Sequence, residues 1–331
     1  MKNITLPGTE ENVSEFCLGS MMFGGRCNFS EAEKILGTAI EKGVNFVDTA
    51  PMYCDGYTEE ILGKILKGKR EKFFIATKVH KGLDSNNITE SLNESLNRLQ
   101  TDYVDLFLIH WPAVGMDPLE IMSALNTLVQ QGKTRYIGCC NFPAWLFAHL
   151  NKIAERNGLA KFINNQVTYN IIQRGIEIEI LPQAIAENIA ITTYGPLAMG
   201  VLSGKYRLGS PVPVDSRGAS SSPIVTWLSV FGESIESFIQ LAEEKNIHPV
   251  QLAIAWVRSS AAVSSPIVGV SSLSQFETSI KAFDYNMSDV ERKTISDIFN
   301  TEVKEEGYQL FPGLKYNFPR LRRNQNLLAS N

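Results

Sequence analysis

The chain has 331 residues, 44% apolar and 20% charged, and its 31 Lys+Arg against 35 Asp+Glu give a formal net charge of −4. That balance excludes a nucleic-acid footprint, which needs clustered Lys and Arg on one face, and the Arg320, Arg322, Arg323 cluster reads as a solvated tail. No stretch approaches the ~18 uninterrupted apolar residues of a membrane span, and residues 1–16 hold no apolar leader core, so the expectation is a cytoplasmic protein with no membrane partner.

Cys17, Cys27, Cys54, Cys139 and Cys140 are odd in number and form no C-x-x-C pair. His80, His110, His149 and His248 are equally scattered. Neither a disulfide framework nor a metal site is expected, and Cys139 and Cys140 read as a buried structural pair.

In chain order, FCLGSMMFG at 16–24 supplies a first strand. Apolar and β-branched runs then begin at residues 44 (VNFVD), 73 (FFIATK), 104 (VDLFLIH), 135 (RYIGCCN), 162 (FINNQVTY) and 190 (AITTY), spaced 29, 31, 31, 27 and 28 residues apart. Each interval is one strand plus one crossover helix. AVSSPIVGVSS at 262–272 gives an eighth strand. Consecutive apolar positions fit parallel strands covered on both faces.

Between the first strands, one helix runs through Lys34, Ile35, Leu36, Ala39 and Ile40 to a stop at Gly43. A second begins at a Thr58 hydroxyl cap, with Glu59 and Glu60 at its positive end, and runs to Leu66 and Gly68. Between Gly195 and Ser234 lies PVPVDSRGASSSP, which reads as a long functional loop or lid. Eight βα units favour an α/β fold, a (β/α)8 TIM barrel in a single domain with long loops at the carboxyl-end face; an open doubly wound sheet accounts for the same count. The domain is expected over 1–300, with 301–331 a tail that lines the substrate pocket.

Barrel active sites collect at the carboxyl ends of the strands. Asp48 closes the second run, Tyr53 follows it, Lys78 closes the third and His110 the fourth. A carboxylate, a phenol, an ammonium and an imidazole at one mouth suit a proton donor of tuned acidity. Lys78 would lower the Tyr53 pKa toward the working pH, Asp48 would keep Lys78 charged, and His110 would hydrogen-bond the substrate oxygen. Taken singly, Asp48 reads equally as a turn former, Tyr53 as packing and His110 as a core histidine. Lys78, at the end of an apolar strand, resists a structural reading.

With LGSMMFG, VNFVDTAPMY, LIHWP, IGCCNF, NNQVTYN, YGPLAMGVLSGKY and PIVGVSSLSQFE, the chain resembles the aldo-keto reductases over nearly its whole length. The resemblance implies a barrel that binds NADP(H) across its mouth and reduces an aldehyde or ketone, including a sugar or natural-product carbonyl, with Tyr53 as proton donor. Asp48, Tyr53, Lys78 and His110 match the family's catalytic tetrad. By the same resemblance Asn141 and Gln166 hold the carboxamide and Tyr194 stacks on the nicotinamide. Gly195, Leu197, Gly200 and Lys205 lie along the pyrophosphate, and Gly269, Ser271, Ser272 and Gln275 take the adenosine phosphate.

The chain departs from the family pattern at Cys140, where many members have Ser, at Ser271, often Arg, and at Thr278 and Ser279, usually Glu-Asn. A hydroxyl offers a 2′-phosphate no charge-assisted bond, which leaves NADH open beside NADPH. Met22, Tyr57, Trp111, Trp227 and the tail around Phe311 are the expected pocket walls, with Arg174 a candidate for an acidic substrate. The alternative function is that of the potassium-channel β subunits, which share the fold and cofactor site and act mainly as partners. An isomerase or lyase on the same barrel would use no nicotinamide.

Overall fold

A computed structural model describes residues 1–300 apart from 215 and 220, so the tail at 301–331, with Phe311 and the Arg320–Arg323 cluster, lies outside the described residues. A hairpin, β1 (Asn3–Thr5) and β2 (Asn12–Ser14), comes first. There follow β3 (Cys17–Gly19), α1 (Phe29–Glu41), β4 (Phe46–Asp48), α2 (Tyr57–Ile65), β5 (Phe74–Val79), α3 (Ser85–Leu99), β6 (Val104–Ile109) and α4 (Pro118–Gln130). The second half comprises β7 (Thr134–Cys140), α5 (Ala144–Arg156), β8 (Phe162–Thr168), α6 (Ile180–Glu187), β9 (Ala190–Tyr194), α7 (Ser222–Glu244), α8 (Pro249–Arg258), β10 (Ser265–Gly269), α9 (Leu273–Ile280) and α10 (Asp289–Asn300).

Strands β3 to β10 pair in parallel, and β10 returns to β3, closing an eight-stranded barrel. Each of the eight barrel strands overlaps one of the runs read from the sequence. Every residue of β5 and β6 is buried, because one face fills the barrel and the other meets helices. Cys17, Phe46, Phe74, Ala76, Leu106, Leu108, Cys140, Ala190 and Ile267 form the inner core. Leu6 and Val13 of the hairpin join that cluster and plug the barrel's amino-terminal end. Over the plug, Arg135 pairs with Glu11 and, at 3.2 Å, with Asp105, which also takes Arg70 at 2.7 Å.

Two local expectations change. Among the described residues between 195 and 234, 198–203 and 217–219 form short 3-10 turns, and the expected loop gives way at 222 to the 23-residue helix α7. Its apolar face packs on α10, where Phe231 and Phe238 meet Phe299 with ring centroids 6.4 and 6.2 Å apart. Thr58 is not a cap: the N-cap of α2 is Gly56, and the buried Thr58 hydroxyl instead donates to Phe23 O at 2.7 Å. Glu59 lies in the first turn as expected and is fully buried, with Thr77 and Arg98 bonded to its two oxygens.

At the floor of the mouth, Gly138 of β7 faces its neighbours so closely that a Cβ would lie 2.6 Å from Asn164 O and 2.8 Å from Leu108 Cδ2. Gly138→Ala is therefore expected to destabilise the barrel by about 1–3 kcal/mol in urea unfolding, the usual cost of overpacking.

Candidate active site

Parallel pairing sends the carboxyl ends of the strands to one mouth. Asp48 is the last residue of β4, Lys78 lies one residue before the end of β5, His110 follows β6, and Cys140 and Tyr194 end β7 and β9. Side chains alternate along a strand, so Phe74, Ala76 and Lys78 share the inner face of β5.

Lys78 is 0% exposed. Its Nζ donates to Asp48 Oδ1 and Oδ2 and to Thr49 O, each at 2.8 Å, and approaches Tyr53 Oη at 3.4 Å. Burial alone would lower the Lys78 pKa; the Asp48 carboxylate outweighs it and holds the ammonium well above the ordinary lysine value. Tyr53 opens a 3-10 turn at 53–56, with its ring edge-on to His110 at 6.5 Å. Burial pushes its phenol up to about 12 despite Lys78, so the expected drop toward working pH is not what this environment produces. His110 moves the other way, down to about 3, through burial and the Lys78 charge, and its Nδ1 has no partner among the described residues. The site thus holds a neutral phenol and a neutral imidazole, both able to donate a hydrogen bond at neutral pH.

The amides are tied into the same cluster. Gln166 Nε2 donates to Asp48 Oδ1 at 2.8 Å. Asn141, at φ +62, accepts from Tyr194 Oη at 2.8 Å and donates to His110 O at 3.3 Å. Burial pushes the Cys140 thiol well up, so it is neutral; Cys139 faces the outer core and Cys140 the inner one.

A nicotinamide dinucleotide fits these residues. Gly19 and Gly269 leave bare backbone at the mouth, where a Cβ on Gly19 would meet Gly269 N at 3.3 Å. Gly195, Gly200 and Gly204 take φ of +69, +96 and +85, conformations open to glycine, and Leu197 lies between the first two. The Lys205 ammonium folds over this loop, 3.0 Å from where a Gly200 Cβ would stand, an arrangement suited to pyrophosphate.

At the N-terminus of α9, Ser271 N and Oγ donate to Gln275 Oε1, Ser272 Oγ caps Gln275 N, and Glu31 Oε1 of α1 accepts from Leu273 N at 2.7 Å. Nothing local in the sequence marks Glu31, which lies 242 residues away. Thr278 bonds back to Ser274 O and Ser279 is buried.

The pocket candidates are less concentrated. Met22 and Trp111 are half-buried beside the mouth strands, and Tyr57 is 43% exposed with its ring against Gly24. Trp227 lies on α7, half-buried against the outer core. Arg174 pairs with Glu177 at 2.9 Å. A 510 Å³ cleft lies at the other end of the barrel, lined by Ile4, Pro7, Ile185, Met287 and the ion pair Glu15–Arg258; it holds none of the tetrad. Among the described residues no helix is long and apolar enough to cross a membrane, and no cluster of three metal-binding side chains occurs.

The structure thus presents a closed barrel with a buried Asp–Lys pair, a phenol and an imidazole at its mouth. Residues 15–300 match the family model described as the aldo/keto reductase family, and the chain belongs to that family of oxidoreductases, which act on carbonyl compounds with nicotinamide cofactors. It is 29% identical to Protein tas of Escherichia coli over 324 residues (86% of this chain, 93% of that protein). It is also 29% identical to norsolorinic acid reductase B of Aspergillus parasiticus over 337 residues (94% and 85%). With a probable voltage-gated potassium channel subunit beta of Arabidopsis thaliana it shares 33% identity over 304 residues (86% and 90%).

His110 gives a pH test. A folded pKa near 3 against an ordinary 6.5 means that the unfolded chain binds the extra proton between those values. The contribution of His110 to stability is therefore present above about 6.5 and declines as pH falls toward 3. Urea unfolding across that range is expected to show a slope that His110→Gln flattens.

Proposed function

We propose that the chain reduces an aldehyde or ketone, with Tyr53 as proton donor and NADPH or NADH as reductant. The observation that carries this reading is Lys78 Nζ, which bridges the Asp48 carboxylate at 2.8 Å and the Tyr53 oxygen at 3.4 Å inside the mouth. When bound, the dinucleotide supplies a hydride; one carbonyl, one hydride and one proton become one alcohol.

The protein's part is orientation and the proton. Tyr53 gives its hydroxyl proton to the carbonyl oxygen as that oxygen gains charge. The tyrosinate left behind faces the Lys78 ammonium, which Asp48 keeps charged and Gln166 helps to align through Asp48. Neutral His110 donates an N–H to the same oxygen. A phenol near 12 is protonated at neutral pH and so available as a donor, and the Lys78 ammonium offsets the cost of the phenolate that donation leaves.

Asn141, Gln166 and Tyr194 are the residues to hold the nicotinamide, Gly195, Leu197, Gly200 and Lys205 the pyrophosphate, and Gly269, Ser271, Ser272 and Gln275 the adenosine end. Met22, Tyr57 and Trp111 are offered as substrate contacts. Residues 1–300 would act as one catalytic unit in the cytoplasm.

Oxidation of NADPH and NADH, followed at 340 nm with a panel of aldehydes, ketones and sugars, tests the reading. Tyr53→Phe is expected to lower kcat by about 10²–10⁴ while the dinucleotide Kd stays within about twofold. Likeness to the channel β subunit favours a second reading, a dinucleotide-binding partner subunit. Tight dinucleotide binding without turnover across the panel would select it, and failure to bind either dinucleotide would sink both.

Glu31 offers a separate test. Its carboxylate stands on the α9 amide where the adenosine end is placed, so it opposes a 2′-phosphate more than a 2′-hydroxyl. Glu31→Gln is expected to tighten NADPH about fivefold relative to NADH, as read by nicotinamide fluorescence titration.

A further inference from the structure

The chemistry above leaves one fully buried carboxylate unused. Glu59, in the first turn of α2, is 0% exposed, and its two oxygens accept from Thr77 Oγ1 at 2.6 Å and Arg98 Nε at 2.7 Å. Thr77 immediately precedes Lys78 on β5, and by strand alternation it faces the helices while Lys78 faces the mouth. Glu59 itself lies three residues after the end of the turn that carries Tyr53. One carboxylate therefore ties the Tyr53 segment to the strand that delivers Lys78.

That segment needs a restraint. After Tyr53, Cys54, Asp55 and Gly56 have φ of +47, +53 and +89, three successive left-handed residues, two of which carry a Cβ that disfavours the conformation. Arg98 supplies the wall. A Cβ on Gly56 would lie 2.8 Å from Arg98 Cδ, and one on Gly63 of α2 would lie 2.5 Å from Arg98 O. The glycines let α3 close on α2, and the guanidinium then reaches Glu59.

We infer that Glu59, clamped by Thr77 and Arg98, is a positioning residue that fixes Tyr53 against Lys78. The clamp rests on the proton-donor reading for its purpose, not for its geometry. The other ionisable groups around it are Glu94 of α3, 3.9 Å from Arg98 Nη1, and His80 and Lys81 beyond β5. Lys81 pairs with Glu94, and His80 approaches Ser91 Oγ at 3.3 Å. His80 feels Arg98 and Glu94 more than Glu59, and Lys78 and Asp48 are the charges that act most on Tyr53.

The test uses the full chain with 2,3-difluorotyrosine at position 53, whose more acidic phenol titrates within the stable pH range and is read by fluorine NMR without turnover. Thr77→Val removes the hydroxyl and no charge; Glu59→Gln keeps the hydroxyl and removes the charge. Both are expected to move the position-53 titration upward as Lys78 recedes, to lower kcat about tenfold, and to leave the dinucleotide Kd within about twofold. Thr77→Ser is expected to behave as wild type.

The sign separates position from field, because loss of a nearby anion alone would move a phenol down. A titration that stays put or moves down in Thr77→Val would overturn the inference. So would kcat and dinucleotide affinity falling together with melting temperature while the titration is unchanged. If the wild type reduces no carbonyl on the panel, the functional reading fails, while an upward fluorine titration still upholds the clamp.

Discussion

The constraint on which the site depends is a charged lysine with no access to water. Lys78 Nζ is surrounded by barrel wall, and an ammonium there is tolerable only if its three protons find acceptors and its charge finds an opposite. Asp48 and Thr49 O meet that demand. The pairing of β4 with β5 sets Asp48 beside Ala76, one inward-facing position before Lys78. A slip of one residue would turn Lys78 outward among helices and leave Asp48 alone in the barrel. Strand register and ion pair therefore specify each other.

Around that pair the protein separates two titratable rings by environment. Tyr53 is raised and His110 is lowered, both mainly through burial, because burial penalises whichever form is charged. The result is two neutral donors side by side, with the fixed positive charge lodged on Lys78 behind the phenol. The amide of Gln166, bonded to Asp48, extends the same network toward β8.

Much of this was legible in the sequence because each barrel strand is a continuous apolar run and the crossover repeat is nearly constant. Asp48, Lys78 and His110 stand at or beside strand ends, where a charged or aromatic side chain interrupts such a run visibly, and Tyr53 follows in the next turn. Other parts depend on contacts that no local pattern carries. The three-residue strands of the hairpin are too short to show a period. Glu59 reads as a helix-end carboxylate until Arg98, 39 residues away, folds back onto it. Glu31 gains its place only when α1 and α9 meet. The Pro/Ser-rich stretch masked the start of α7, whose Pro223 sits in the first turn, where a missing N–H costs nothing. The Tyr53 environment was misjudged for a similar reason: the lysine beside it was visible, and the burial around both was not.

The barrel closes through β10 on β3, with Ile267, Val268 and Gly269 lying opposite Cys17, Leu18 and Gly19. About 250 residues separate these partners, so the first barrel strand to be synthesised waits for the last. Until then β3 and β9 are both unpaired edges, each a template for another chain. Before β10 arrives the barrel cannot close around its inner core, and a chain cut short before that strand keeps two unpaired edges. The protein's hazard in the cell is thus concentrated in the interval of its own translation, and its safety arrives in a single step when the ring shuts.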